Sequence, residues 1–113
     1  MERNVIVFED DSGVIGVLTW FLPEQGYTVL AFIASMEEAR KVIPTLDPKQ
    51  IWAAIVDGDL SSNHDTKDGR QLVQDLRKKG IATVGFAGLG NIGADIEVGK
   101  DISGLPEALN RLR

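Results

Sequence analysis

The sequence contains no cysteine, which excludes disulfide cross-links and thiolate metal sites outright. A chain without cysteine is compatible with the cytoplasm, and that is where we expect it. It also lacks a clustered block of Lys and Arg, and its net charge is −5. Nucleic-acid phosphates call for concentrated positive charge, so no nucleic-acid partner is expected. The segment "MERNVIVFEDD" has no apolar core of the signal-peptide kind, and no apolar run reaches membrane-spanning length. No membrane association is expected. Internal repeats, low-complexity tracts and linkers are missing too. With 113 residues, 43% of them hydrophobic and 26% charged, the expectation is one folded domain over 1–113.

What is present alternates. Val5 to Phe8 is a short continuous apolar run, as in a strand buried on both faces of a parallel sheet. Ser12 can cap a helix to about Leu22, stopped by Pro23 and Gly26. Tyr27 to Phe32 reads as a second strand, and "SMEE" at Ser35 to Glu38 fits a capping box that opens a helix ended by Pro44. Trp52 to Val56 is a third strand. After the polar stretch "DGDLSSNHDTKDG", the segment "GRQLVQDLRKKG" gives the cleanest helix, closed by Gly80. Ile81 to Phe86 and a weaker Ile96 to Val98 complete the strands, and a terminal helix runs from Ser103 with Pro106 in its first turn. Arg111 and Arg113 read as its solvated end. The order βαβαβαβ, loop, βα predicts an α/β fold: a doubly wound, five-stranded parallel sheet with right-handed crossovers.

In such sheets the site lies beyond the carboxyl ends of the strands. Glu9 and Asp10 close the first strand, and Asp57 closes the third, with Asp59 two residues on. Carboxylates gathered in one crevice repel one another and resist desolvation, so they call for a shared proton or a bound cation. An all-oxygen cluster without His or Cys suits Mg²⁺. Mg²⁺ beside a carboxylate points to phosphoryl transfer to an aspartate. Lys100, after the fifth strand, can reach the same end of the sheet and pair with a phosphoryl oxygen.

In these residues the chain resembles the receiver domain of two-component response regulators, over nearly its whole length. "VFEDD" is similar to that family's first-strand acidic motif and "AAIVDGDL" to its third-strand motif. Asp68-Gly69 matches the dipeptide that opens the third helix, and "GAD" followed by Lys100 matches the approach to the fifth-strand lysine. The resemblance implies a flavodoxin-like sheet of order 2-1-3-4-5. It implies Asp57 as phosphoacceptor, Glu9 and Asp10 as the acid pair with Asp10 a direct Mg²⁺ ligand, and Asp59 where the family places a backbone carbonyl on the metal. Gly88 keeps the small residue that leaves room for phosphate. A histidine kinase or phosphotransfer protein is then the donor, and output runs through contact with an unknown downstream protein, without enzymatic activity.

Four departures accompany the match. Ala87 replaces the hydroxyl residue that ends the fourth strand, Glu97 replaces the switch aromatic, and Asp101 replaces the proline after the lysine. From Ala87 to Asp95 only nine residues, three of them glycine, join the fourth strand to the fifth. Parallel neighbours usually need a crossover of about a dozen or more. The helix there is expected to be short or missing. Two other readings stand beside the first: a phosphorylation-independent pseudo-receiver, and a small phosphatase resembling haloacid dehalogenases, with Asp57 as nucleophile and Asp59 as acid–base. His64 reads as a surface loop residue. Of the consecutive Trp20, Phe21 and Leu22, helical geometry hides only part, so one is expected to be exposed.

Overall fold

The computed structural model describes residues 3–58, 67–88 and 91–112. Five strands, β1 (Asn4–Phe8), β2 (Thr28–Ile33), β3 (Ala53–Val56), β4 (Thr83–Gly85) and β5 (Ile96–Glu97), form one all-parallel sheet in the order β2-β1-β3-β4-β5. The predicted fold class and strand order are both found. Four helices flank it: α1 (Ser12–Glu24), α2 (Met36–Val42), α3 (Lys67–Lys78) and α4 (Leu105–Arg111). Among the described residues no helix joins β4 to β5. None is long and apolar enough to cross a membrane.

The alternation of side chains along a strand divides the core in two. Val5, Val7 and Ile55 face α1 and α4, packing on Leu18, Leu22 and Leu105. Ile6, Phe8 and Val56 face the other way, onto Leu72, Val73 and Leu76 of α3 and Ala39 of α2. Each fully buried Leu or Phe contributes about 1.5–3 kcal/mol relative to exposure. Because β1 and β3 are covered on both faces, the sequence there is continuous rather than alternating in polarity. The bulky run on α1 divides as expected: Leu22 is buried, Phe21 half-buried and Trp20 57% exposed.

Helix ends depart from the sequence reading in instructive ways. Asp11, not Ser12, caps α1: its carboxylate accepts from Gly13 N at 2.8 Å and Val14 N at 3.2 Å. A carboxylate there satisfies orphan amides and complements the helix dipole at once. Pro23 does not stop α1, which runs on to Glu24; in the last turn it removes one N–H without breaking the helix. Termination falls to Gly26 at φ 89°, where Tyr27 N donates to Leu22 O and Gly26 N to Pro23 O. Gly80, at φ 83°, ends α3 with the same pair of bonds. The capping box at Ser35 forms, with Glu38 N donating to Ser35 Oγ. The terminal helix begins at Leu105, because Ser103 sits in a 3₁₀ turn over Ile102–Gly104 that Asp101 caps.

Candidate functional site

Glu9 and Asp57 are placed by extensions of the sheet ladder. Glu9 N donates to Ile33 O at 2.9 Å and Asp57 N to Phe8 O at 2.8 Å, so both residues leave their strands in register at the same end of the sheet. Glu9 is 1% exposed and Asp57 is buried, whereas Asp10 is exposed. The third helix supports Asp57 from below. Gly69 N donates to Gly58 O at 3.1 Å, and a Cβ on Gly69 would lie 2.6 Å from Gly58 Cα and 2.9 Å from Asp57 O. Only glycine permits that approach, which gives the Asp68-Gly69 match a physical reason.

Lys100 reaches the same point from the far side. Its Nζ donates to Glu9 Oε1 at 2.8 Å and lies 3.0 Å from Asp57 Oδ1. The ammonium also sits 4.7 Å from the ring centroid of Phe86, a cation–π contact that the sequence reading missed. Gly88 lies beside the lysine stem: a Cβ there would come to 3.2 Å from Lys100 Cγ. The structure thus brings Glu9, Asp57, Lys100 and Gly88 together, from the ends of three strands and the loop after β5.

Electrostatics follow from this crowding. Burial first, and the adjacent Asp57 carboxylate second, push Glu9 from 4.5 up to about 8 against the opposing pull of Lys100. Burial acts to lower Lys100, but its bonds and charges shared with Glu9 and Asp57 outweigh that, and the net shift is upward. Lys100 is therefore charged at neutral pH, while burial and Asp57 favour the neutral form of the Glu9 carboxyl.

The donor set fits a hard divalent cation. Among the described residues one group of acids, Glu9, Asp10 and Asp57, offers carboxylate oxygens that all lie within 4.8 Å of one another. Within it, Glu9 Oε2 is buried and finds no hydrogen-bond partner among the described residues. A buried carboxylate oxygen left in that state is costly, and an oxygen-only cluster of this kind matches Mg²⁺.

Elsewhere the site departs from the expected relay. Ala87 is buried and has no hydroxyl to offer. Glu97 does not sit as a surface switch. Its carboxylate accepts from Ala94 N at 2.7 Å and from Ile92 N at 3.2 Å, and it packs on Gly85, where a Cβ would collide with it. Asp95 adds a second anchor, accepting from Thr83 N at 2.8 Å and from Thr83 Oγ1 at 3.0 Å. Two acids thus hold the short β4–β5 connection in the helix's stead. Asp59, His64 and most of the 58–68 loop lie outside the described residues.

No protein-family model matches the chain, and no curated protein matches it. Solved structures do. A response regulator receiver domain from Methylobacillus flagellatus is similar over 100% of both chains, with 19% identity and a TM-score of 0.75. The receiver domain of a sensor histidine kinase from Pseudomonas aeruginosa PAO1, which holds a magnesium ion in its active-site cleft, covers 99% of this chain and 98% of its own, at 16% identity and a TM-score of 0.75. A response regulator from Burkholderia pseudomallei with a phosphorylated aspartic acid and a calcium ion covers 96% of this chain and 66% of its own, at 21% identity and a TM-score of 0.72. Strand order, helix placement and these matches agree: the chain has the fold of the response-regulator receiver domain.

Proposed function

We propose that residues 1–113 act as one receiver unit in a cytoplasmic two-component phosphorelay, with Asp57 accepting a phosphoryl group from the phosphohistidine of a kinase or phosphotransfer protein. The observation that carries this reading is the convergence of Glu9, Asp10, Asp57 and Lys100 at one end of the sheet, with a buried Glu9 oxygen unsatisfied among the described residues. In the transfer, an Asp57 carboxylate oxygen forms the new P–O bond, the donor's P–N bond breaks, and the imidazole takes a proton. Glu9, Asp10 and Asp57 would hold Mg²⁺, with Asp59 the further candidate. That ion supplies neutralisation of phosphoryl charge. Lys100, already paired with Asp57, offers its ammonium to a phosphoryl oxygen, and Gly88 leaves room beside it. The aspartyl phosphate of the Burkholderia protein and the magnesium of the Pseudomonas receiver support the same assignment.

Output in this reading runs through protein contact by an unconventional route. Ala87 cannot bond a phosphoryl oxygen, and Glu97 is committed to the β4–β5 connection. The same two residues favour the second reading, a phosphorylation-independent pseudo-receiver. Intact mass after incubation with acetyl phosphate, with and without Mg²⁺ and beside Asp57→Asn, separates them. The leading reading expects one added phosphoryl group that needs both Mg²⁺ and Asp57. No adduct, together with no beryllofluoride binding, establishes the pseudo-receiver. Turnover of a generic phosphomonoester in the same samples would instead identify the phosphatase.

A further inference from the structure

Lys100 leaves a tight turn and ends against aromatic carbon. Gly99 takes φ 63° and Asp101 N donates to Val98 O at 3.4 Å, while Val98 N donates to Gly85 O at 2.9 Å and ties the base of the turn to β4. Phe86 N donates to Val56 O at 2.8 Å, which carries the ladder one residue past β4, level with the end of β3. The chain then alternates. Phe86 turns into the core on the side of α1 and α4, and Ala87 into the core on the side of α3. The Phe86 ring is 1% exposed, in the cluster that holds Val7, Ile55 and Leu105, and close packing leaves it no room to swing away.

The lysine stem passes Gly88, and its ammonium comes to lie over the Phe86 ring, 4.7 Å from the centroid. That is well inside the range of about 6 Å over which a ring quadrupole attracts a cation. The other groups on the ammonium are the Glu9 and Asp57 carboxylates, at 2.8 and 3.0 Å. Both of those change in the proposed chemistry. A metal ion at the acid cluster would draw on the same carboxylates, and an Asp57 that has taken a phosphoryl group no longer carries its carboxylate charge. The ring is altered by neither event. It has no proton to titrate and no oxygen to offer a hard cation. A leucine would fill the same core but present no π face to the ammonium.

We propose that Phe86 is the positioning residue of Lys100: its ring holds the ammonium at the end of the sheet independently of the two carboxylates. Phe86 acts only through the lysine. The consequence for transfer rests on the receiver reading: the ring keeps the ammonium aimed at the phosphoryl group once Asp57 releases it, where Ala87 has no hydroxyl to share that contact. The placement itself does not rest on that reading.

The first arm of the test is NMR of the full chain with no phosphoryl donor. The Lys100 ε-methylene protons should resonate upfield of those of the other lysines, shifted by the ring current, and show contacts to the Phe86 ring. Both features should persist in Glu9→Gln and after addition of Mg²⁺, and vanish in Phe86→Leu. The second arm replaces Phe86 by pentafluorophenylalanine, which keeps an apolar ring in the core but reverses its quadrupole. Labelling by acetyl phosphate should slow about tenfold in that chain and in Phe86→Leu, and no further when Phe86→Leu is combined with Lys100→Met. An unchanged thermal midpoint of the fluorinated chain separates this loss from a loss of fold. Lys100 protons that resonate with the other lysines, in wild type or in Glu9→Gln, overturn the proposal. So does a fluorinated chain labelled at the wild-type rate, or a combined variant in which the two losses multiply. A wild-type chain that takes no phosphoryl group overturns the transfer reading instead, and the resonances alone then decide the placement.

Discussion

Glu9 and Lys100, 91 residues apart in sequence, meet in a 2.8 Å hydrogen bond at the carboxyl end of the sheet, with Asp57 Oδ1 3.0 Å from the same ammonium. One cation thus serves two acids, and one of the acids is almost wholly buried. Removing it takes that one donor away from both acids. Lys100→Met is expected to slow phosphorylation from acetyl phosphate by about a hundredfold, the loss typical of one charge-stabilising donor. The fold should weaken by about 1–3 kcal/mol at neutral pH. Intact-mass time courses and urea unfolding read the two effects, and a wild-type rate in the variant would remove Lys100 from the chemistry.

The raised position of Glu9, about 8 rather than 4.5, has a consequence for pH. A group whose value is raised on folding contributes stability that is complete below its unfolded value and is lost as pH climbs through the folded one. In EDTA, the thermal midpoint should therefore fall between about pH 5 and pH 8.5 as Glu9 is forced to ionise beside Asp57. Lys100, raised as well, keeps its charge across that range and adds no slope there. With Mg²⁺ the trend should reverse, because ionised Glu9 is the form that ligates. Glu9→Gln should flatten both curves. Equal slopes in variant and wild type would refute the assignment.

Gly69 tests the contact between α3 and the end of β3. Gly69→Ala puts a methyl within 2.6 Å of Gly58 Cα, and backbone cannot step aside as a flexible side chain can. We expect a loss of about 1–3 kcal/mol in urea unfolding, the usual cost of overpacking. Acetyl phosphate labelling should slow as well, because the displaced backbone belongs to Asp57 and Gly58. A variant as stable as wild type would show that the two segments separate freely.

Glu97 is predicted to be a structural clamp. Glu97→Ala strips acceptors from the Ile92 and Ala94 amides and should cost about 1–3 kcal/mol. Hydrogen exchange should quicken at those two amides before it does in β1 or β3. If Glu97→Tyr, the family's usual kind of residue, protected them equally well, the clamp would be an incidental contact.

Much of this was legible in the chain itself. Continuous apolar runs closed by acids announced strands buried on both faces, and the spacing of Glu9, Asp10, Asp57 and Lys100 placed four groups at strand ends. Gly26 and Gly80 marked helix ends because few other residues accept a positive φ. The brevity of 87–95 agrees with the lack of a helix there among the described residues, since nine residues are too few for an ordinary crossover. Sequence therefore determined the fold class, the end of the sheet at which these groups meet and the absence of a hydroxyl at Ala87. It did not determine which neighbouring acid does what. Asp11 became a helix cap and Glu97 a loop clamp because of where amides point, and that depends on chain direction after folding. Nor could it show Lys100 over Phe86 or the buried oxygen of Glu9. Those arise only when strands distant in sequence are laid side by side, where burial and proximity, which no local pattern encodes, set the energies.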